Sequence, residues 1–253
     1  TQTAVSYQIK LLEDRFGPLF LRKARGVALT EAGRRLAPAV TDAFTTLRAA
    51  FEDVTQTAQG VLVVSAVNTF ASNWLVPRLG AFQMAHPAIA VRLDVKSRLV
   101  DFAREEVDVG IRSGEGPWPG LAAHRLKPVE YTPVLSPRLL ERNGPPACPA
   151  DLLKLPLVDP QDPWWAEWFA AAGVGAADDL LAELSRRPDI RVGTQPLAAS
   201  VALSGQGVAI VSPGFFREEI ASGRLVQPFP LVHTSGASYW LVYPEARRRS
   251  PQI

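Results

Sequence analysis

Apolar positions recur at helical spacing along the first sixteen residues: Val5, Ile9, Leu12 and Phe16 form one stripe that predicts a buried helix face. Gln2, Thr3, Ser6, Tyr7 and Lys10 fall on the other, polar face. Gly17-Pro18 ends that helix. The runs Leu19-Phe20-Leu21 and Val27-Ala28-Leu29 then flank a basic stretch with Gly26, the outline of a small β-hairpin. Thr30 is a good N-cap, and Glu31 suits the first turn of a second helix running to about Gln59. Within it, Leu36, Val40, Ala43, Leu47, Ala50 and Val54 are spaced 4, 3, 4, 3, 4, an unbroken heptad seam flanked by Phe44 and Phe51. At ~1.5 Å per residue such a helix is about 40 Å long, and its seam calls for a partner. The alternative is an amphipathic helix lying on its own domain. Pro38 is expected to kink the helix or mark its true start.

From Val61 the pattern changes. Val61-Leu62-Val63-Val64-Ser65 is a continuous apolar run, as in a strand covered on both faces. Helical stretches are predicted over 71–83, 100–106, 164–172, 196–204 and 215–221. Strands are predicted over 89–95, 107–111, 129–135, 157–158, 190–192, 208–212 and 239–243. This alternation implies an α/β domain with right-handed crossovers and a parallel sheet. Trp164, Trp165, Trp168 and Phe169 are at helical spacing, which favours lobe core or a subunit contact over a cofactor box.

Charge sharpens the division. Residues 1–60 hold eight Lys/Arg against six acids, whereas the rest holds nineteen of each, so all the net charge of +2 lies in the first quarter. There Arg22, Lys23 and Arg25 cluster without an acid between them, which suggests a polyanionic partner for the hairpin; a solvated loop is the alternative. Enzyme readings find little support. His86, His124 and His233 are scattered without zinc spacing, and Cys148 sits alone between Ala147 and Pro149. Gly205-Gln206-Gly207 precedes a strand rather than following one, unlike a dinucleotide site. No enzyme activity, metal or cofactor is expected. No apolar run reaches ~18 residues, and Thr1 to Lys10 lacks a basic-then-apolar signal. A cytoplasmic protein without a membrane partner is therefore expected.

Residues 2–13, Gln-Thr-Ala-Val-Ser-Tyr-Gln-Ile-Lys-Leu-Leu-Glu, closely resemble the recognition helix of LysR-type transcriptional regulators. Leu19-Phe20 and residues 25–33, Arg-Gly-Val-Ala-Leu-Thr-Glu-Ala-Gly, resemble that family's wing and the start of its linker helix. The likeness continues through Asp101-Phe102-Ala103-Arg104, residues 107–112 and Gly116-Pro117-Trp118-Pro119-Gly120, which resemble the subgroup of the glycine-cleavage activator and the β-lactamase regulator. The resemblance implies a partial winged helix-turn-helix over 1–29 (recognition helix 1–16, wing 19–29) and a linker or dimerisation helix over 30–59. A two-lobed, periplasmic-binding-protein-like effector domain would span 60–253, with lobe I at 60–132 and 236–253 and lobe II at 133–235. Relative to the family pattern, two helices are expected ahead of Thr1 and one beyond Pro251, and the Gly17 to Phe20 turn is one residue short.

Such a head places the N-terminal turns of its recognition helix in the major groove of promoter DNA. Gln2, Thr3, Ser6, Tyr7 and Lys10 would then reach bases, with Arg22, Lys23 and Arg25 gripping phosphates. The seam residues Leu36, Val40, Ala43, Leu47, Ala50 and Val54 would make a homodimer, and dimers would pair into a homotetramer. RNA polymerase is a further candidate partner. In the effector domain, helices starting after Val67 and Thr194 bring Asn68, Thr69, Thr194 and Gln195 to an interlobe cleft. Arg98 and Arg112 follow strands and could pair with a small anionic effector. The alternatives are that Asn68 and Thr69 only cap a helix, and that Arg112 pairs with a core acid such as Asp108. A solute-binding protein using only the two lobes is the competing reading of the whole chain.

Overall fold

The computed structural model describes residues 2–23, 26–55, 60–102, 104–187, 190–248, 250 and 253. Helix α1 (Gln2–Phe16) ends where Gly17 takes a positive φ of 81° and donates its N–H to the Glu13 carbonyl at 2.8 Å. Strands β1 (Phe20–Lys23) and β2 (Gly26–Leu29) pair antiparallel, from Phe20 opposite Leu29 to Lys23 opposite Gly26. One carboxylate joins helix to hairpin: Glu13 Oε1 accepts from the N–H groups of Leu19 and Phe20, both at 2.9 Å. The apolar stripe of α1 is not buried as its pattern predicts. Val5, Leu12 and Phe16 are exposed and Ile9 is half-buried, because among the described residues no element packs over them.

Helix α2 (Glu31–Thr55) begins as its sequence predicts, with Thr30 Oγ1 accepting from Gly33 N–H at 3.0 Å. It runs through Pro38, which is therefore not its start. Of the seam, Leu36 is half-buried and Val40, Ala43 and Leu47 are exposed; the side chains of Ala50 and Val54 lie outside the described residues.

The remaining strands share one mixed sheet, ordered β4-β3-β5-β8-β6-β7. Strands β3 (Gly60–Ala66), β4 (Ile89–Val95) and β5 (Val109–Gly114) are parallel to one another. Two long strands, β6 (Leu121–Val134) and β8 (His233–Pro244), run antiparallel and cross from one end of the sheet to the other. β8 borders β5 on one side, and the end of β6 takes β7 (Ala209–Val211) on the other. The parallel sheet implied by the sequence rhythm is thus the three strands β4, β3 and β5 of the six. The antiparallel crossing strands arise from long-range pairing, which a local pattern does not encode.

Helices cover both ends. After β3 come α3 (Asn68–Phe70), a π turn over Ala71–Leu75, and α4 (Val76–Ala85). The second lobe carries α5 (Pro137–Asn143), α6 (Pro163–Ala171), α7 (Ala177–Leu184), α8 (Gln195–Leu203) and α9 (Arg217–Ala221). Trp165, Trp168 and Phe169 of α6 are fully buried, so that cluster is lobe core. Two expectations fail. Among the described residues of 100–106 no helix forms: Glu105 N–H closes a single turn onto the Asp101 carbonyl at 2.8 Å, and Arg247 donates to the carbonyls of Phe102 (3.3 Å) and, just beyond, Val107 (2.8 Å). Ile190 to Val192 has no strand partner among the described residues. It is held instead by Asp159, through its N–H to the Ile190 carbonyl and its carboxylate to Val192 N–H, both at 2.8 Å.

Candidate functional site

A cavity of about 410 Å³ opens between the lobes at the C-terminal ends of β3 and β5. Asn68 and Thr69 reach it from the start of α3, Ser97 from beyond β4, Ser113 from β5 and Tyr239 from β8. From the other lobe come Thr194 and Gln195 at the start of α8, and Asp159, Gln161, Asp162 and Trp164 before and at the start of α6. Four sequence-predicted residues, Asn68, Thr69, Thr194 and Gln195, therefore converge from segments far apart in the chain.

The loops around the cavity are pinned. Asp159, at a φ of 50°, accepts from Val192 N–H at 2.8 Å and Gly193 N–H at 3.0 Å, which fixes the approach to α8. Gln195 Oε1 accepts from Ser212 N–H at 2.8 Å, tying the first turn of α8 to the end of β7. Thr194, the α8 N-cap residue, makes no side-chain cap bond; its Oγ1 is buried without a hydrogen-bond partner among the described residues. Thr69 likewise does not cap: the α3 N-cap position is Val67. Burial pushes the Tyr239 phenol up from its ordinary pKa, so it is a neutral hydroxyl at the cavity. Trp164 stacks on Tyr131 with ring centres 4.4 Å apart, which presents an aromatic edge beside Asp162.

The two predicted arginines lie elsewhere. Arg98 pairs with Glu105 at 2.6 Å outside the cavity. Arg112 is buried and turns back into the sheet, donating to the Ser65 carbonyl at 3.0 Å, Ser65 Oγ at 2.7 Å and the Ile111 carbonyl at 2.7 Å. Its guanidinium pKa is lowered by burial. Nor does Arg112 pair with Asp108, whose carboxylate accepts from Val63 N–H at 2.8 Å and faces Arg247 at 3.7 Å. The sequence reading missed Asp162, Gln161, Trp164 and Tyr239. Asp162-Pro163 is a legible helix start, but its place in the cleft depends on β6 and β8 crossing.

In the head, Thr3, Ser6, Tyr7 and Lys10 share one exposed face of α1, at i, i+3, i+4 and i+7. Gln2 starts that helix, but its side chain, those of Arg22 and Lys23, and all of Arg25 lie outside the described residues. Among the described residues there is no cluster that could hold a metal ion and no helix long and apolar enough to cross a membrane.

A small-molecule cleft between two lobes, a long helix with an apolar seam, and a helix-and-hairpin head define a class: ligand-binding regulators that read nucleic acid. Comparison with known proteins agrees. Residues 55–253 match the LysR substrate binding domain, and residues 1–34 match the bacterial regulatory helix-turn-helix protein of the lysR family. The chain belongs to the LysR family of transcriptional regulators.

Its relatives include the HTH-type transcriptional activator AmpR of Citrobacter koseri, 34% identical over all of this chain and 85% of that protein. The glycine cleavage system transcriptional activator of Escherichia coli K12 is 37% identical over 96% of this chain and 78% of that one. Among solved structures, the effector domain of AmpR from Pseudomonas aeruginosa matches 74% of the chain and 86% of its own, with a TM-score of 0.60 and 34% identity. CrgA from Neisseria meningitidis, at 23% identity, shares the fold over the whole chain and 86% of its own, with a TM-score of 0.65.

Proposed function

We propose that this chain is a ligand-responsive transcription regulator in which α1 reads promoter DNA, α2 pairs two copies, and the interlobe cavity takes a small-molecule effector. The observation that carries the reading is the convergence of Asn68, Thr69, Thr194 and Gln195 on one cavity in a chain that also presents the polar face of α1. The division proposed is a head at 1–29, a linker helix at 30–59 and an effector domain at 60–253. Gln2, Thr3, Ser6, Tyr7 and Lys10 serve base readout, and Arg22, Lys23 and Arg25 serve phosphate contact. Leu36, Val40, Ala43, Leu47, Ala50 and Val54 form the dimer seam, and dimers join as tetramers. Arg98 and Arg112 stabilise lobe I rather than touching ligand. The protein acts in the cytoplasm without enzymatic activity, with RNA polymerase as a downstream partner.

The test is selection of duplexes from a random-sequence pool by the full-length protein. A two-half-site motif is expected, bound with an affinity that falls steeply with salt. Gln2→Ala is expected to relax base preference at one position of each half-site. No enrichment at moderate ionic strength overturns the reading.

A further inference from the structure

Phe215 of the second lobe is clasped from the first lobe and from both crossing strands. Its ring meets Phe70 edge-on with centres 5.5 Å apart and Tyr239 of β8 at 5.3 Å, and Lys127 Nζ of β6 lies 4.2 Å from its centre. Its carbonyl accepts from Asn73 Nδ2 at 3.2 Å, a bond between residues 142 positions apart. Both partners of that bond sit in tight, irregular segments. Asn73 is at the middle of the π turn Ala71–Leu75, and Phe215 closes the short 3-10 turn Pro213–Phe215.

Each segment is attached to a wall of the cavity. Thr69, which lines the cavity, is followed directly by Phe70 and the π turn. On the opposite lobe Gln195 also lines the cavity, and its Oε1 accepts from Ser212 N–H at 2.8 Å. The Ser212 carbonyl in turn accepts from Phe215 N–H at 3.0 Å. A chain of contacts therefore runs from one cavity wall through Asn73 and Phe215 to the other.

The π turn has a local cause. Pro77 has no N–H to give the Asn73 carbonyl, and in an α-helix its ring would press on that carbonyl. The backbone widens instead, and Val76 N–H bonds to the Ala71 carbonyl five residues back. Such a turn holds one residue more than an α-helical turn, and turns of this kind are frequent at functional sites. A single neutral hydrogen bond contributes only about two- to tenfold to an equilibrium, so the Asn73 bond can bias the lobes without locking them.

We infer that Asn73 is the positioning residue of an interlobe latch: its bond to the Phe215 carbonyl, kept in reach by the π turn, sets the packing of the two lobes, and contacts made in the cavity at Thr69 or Gln195 tighten or release it. The inference rests on the sensing role proposed above for this cavity and adds the element that converts occupancy into lobe packing.

The test measures the interlobe distance in the ligand-free full-length protein by electron–electron resonance between two spin labels. One is on the exposed Cys148 of the second lobe, and the other on Glu106→Cys of the first, whose native side chain is 92% exposed. Labelled subunits are diluted into unlabelled ones, so that distances within one chain are read. Asn73→Leu fills similar space without a donor and is expected to raise the share of a second, shifted distance by about two- to tenfold. Its melting temperature should fall by no more than about 4 °C. Deleting the exposed Ser72 returns the turn to an α-helical count, keeps Thr69 and α4 in place, and is expected to give the same shift. Gln195→Leu unties the chain of contacts from the other wall, and combining it with Asn73→Leu should add little to either change alone. Native distances in both Asn73→Leu and the deletion, or fully additive effects in the double variant, overturn the latch and leave the sensing role standing. A shifted distance with unchanged affinity for the selected duplex supports the latch and counts against the sensing role.

Discussion

Replacing Gly33 with alanine sets two effects against each other at the junction between head and linker. In a free helix, alanine is better than glycine by about 1 kcal/mol. Here a Cβ on residue 33 would lie 2.2 Å from the Leu19 carbonyl oxygen and 3.2 Å from Leu29 Cδ2. Relief requires that oxygen to retreat by roughly 1 Å. It is also the acceptor for Thr30 N–H at 3.0 Å, while Thr30 Oγ1 donates to the Pro18 carbonyl at 2.7 Å. Opening the contact therefore strains the bonds that hold the start of α2 against the turn leading into β1. Overpacking of this kind costs about 1–3 kcal/mol, and a lost hydrogen bond adds about 1 kcal/mol. The clash outweighs the gain in propensity, for a net loss of about 1–3 kcal/mol confined to the junction. If, as proposed, α2 pairs two copies and so sets the spacing of two heads, a tilted junction should weaken DNA binding about fivefold or more. The assay is fluorescence anisotropy on the selected duplex, with hydrogen exchange across residues 17–33 and effector-domain melting as controls. Faster exchange there, weaker DNA binding and unchanged effector-domain melting are expected. Unchanged DNA binding with slower exchange at 17–33 would show that propensity wins and refute the reasoning.

Two further outcomes test the effector domain. Glu105 accepts from Arg98 at 2.6 and 2.7 Å, from Asp101 N–H at 3.0 Å and from Lys96 at 3.3 Å, and the Arg98 guanidinium foremost holds its carboxyl at about 2, below the ordinary 4.5. A depressed carboxylate stabilises the fold above its unfolded pKa and loses that contribution as pH falls through the folded one. The melting advantage of the native chain over Glu105→Gln should hold near neutrality and shrink between about pH 4.5 and 2; an advantage that ignores pH would count against the pairing. Trp165 is fully buried, and its Nε1 donates to the Val158 carbonyl at 3.0 Å. Trp165→Ala should cost about 3–5 kcal/mol, or roughly 10 °C in Tm; a loss below about 1 kcal/mol by denaturant titration would mean the lobe is not packed as described.

What could be read locally is what local physics decides. Thr30 caps a helix because its hydroxyl reaches Gly33 N–H, and Gly17 ends one because it alone tolerates a positive φ there. The helix starts at Asn68 and Gln195 were legible as well, although neither N-cap residue makes a side-chain cap bond, and with them four cleft residues. The arginines were not. A basic residue after a strand suggests an anion site, yet Arg112 reaches back 47 positions to Ser65 and Arg98 reaches seven forward to Glu105. The apolar and charged alternation over 100–106 reads as helix, yet its described residues close only one turn, Glu105 N–H on the Asp101 carbonyl, while Arg247, about 140 residues on, takes the Phe102 carbonyl. Each failure is a case in which a side chain found a partner in the fold that its local sequence does not reveal, a carboxylate for Arg98 and backbone carbonyls for Arg112 and Arg247.

The same long-range contacts limit how the cavity can act on the head. Tyr239 of crossing strand β8, which lines it, also packs in an aromatic trio with Phe70 of the first lobe and Phe215 of the second, ring centres 5.3–5.6 Å apart. Asn73 adds a bond across the lobes to the Phe215 carbonyl at 3.2 Å. A wide hinge closure would break this trio, so the sensing proposed above calls for a small shift in lobe packing, and a ligand moves such an equilibrium only by its difference in affinity for the two packings. Tyr239 thus touches both the trio and the cavity, and β8 ends at Pro244, directly before the Glu245–Arg247 turn. Pro244 and Arg247 share a hollow with Pro38 and Thr41 of α2. Among the described residues, strand β8 thus lines the cavity at Tyr239 and leads at Pro244 into a turn beside the linker helix, so on the reading proposed above a displacement of Tyr239 can pass along one strand to a contact with α2.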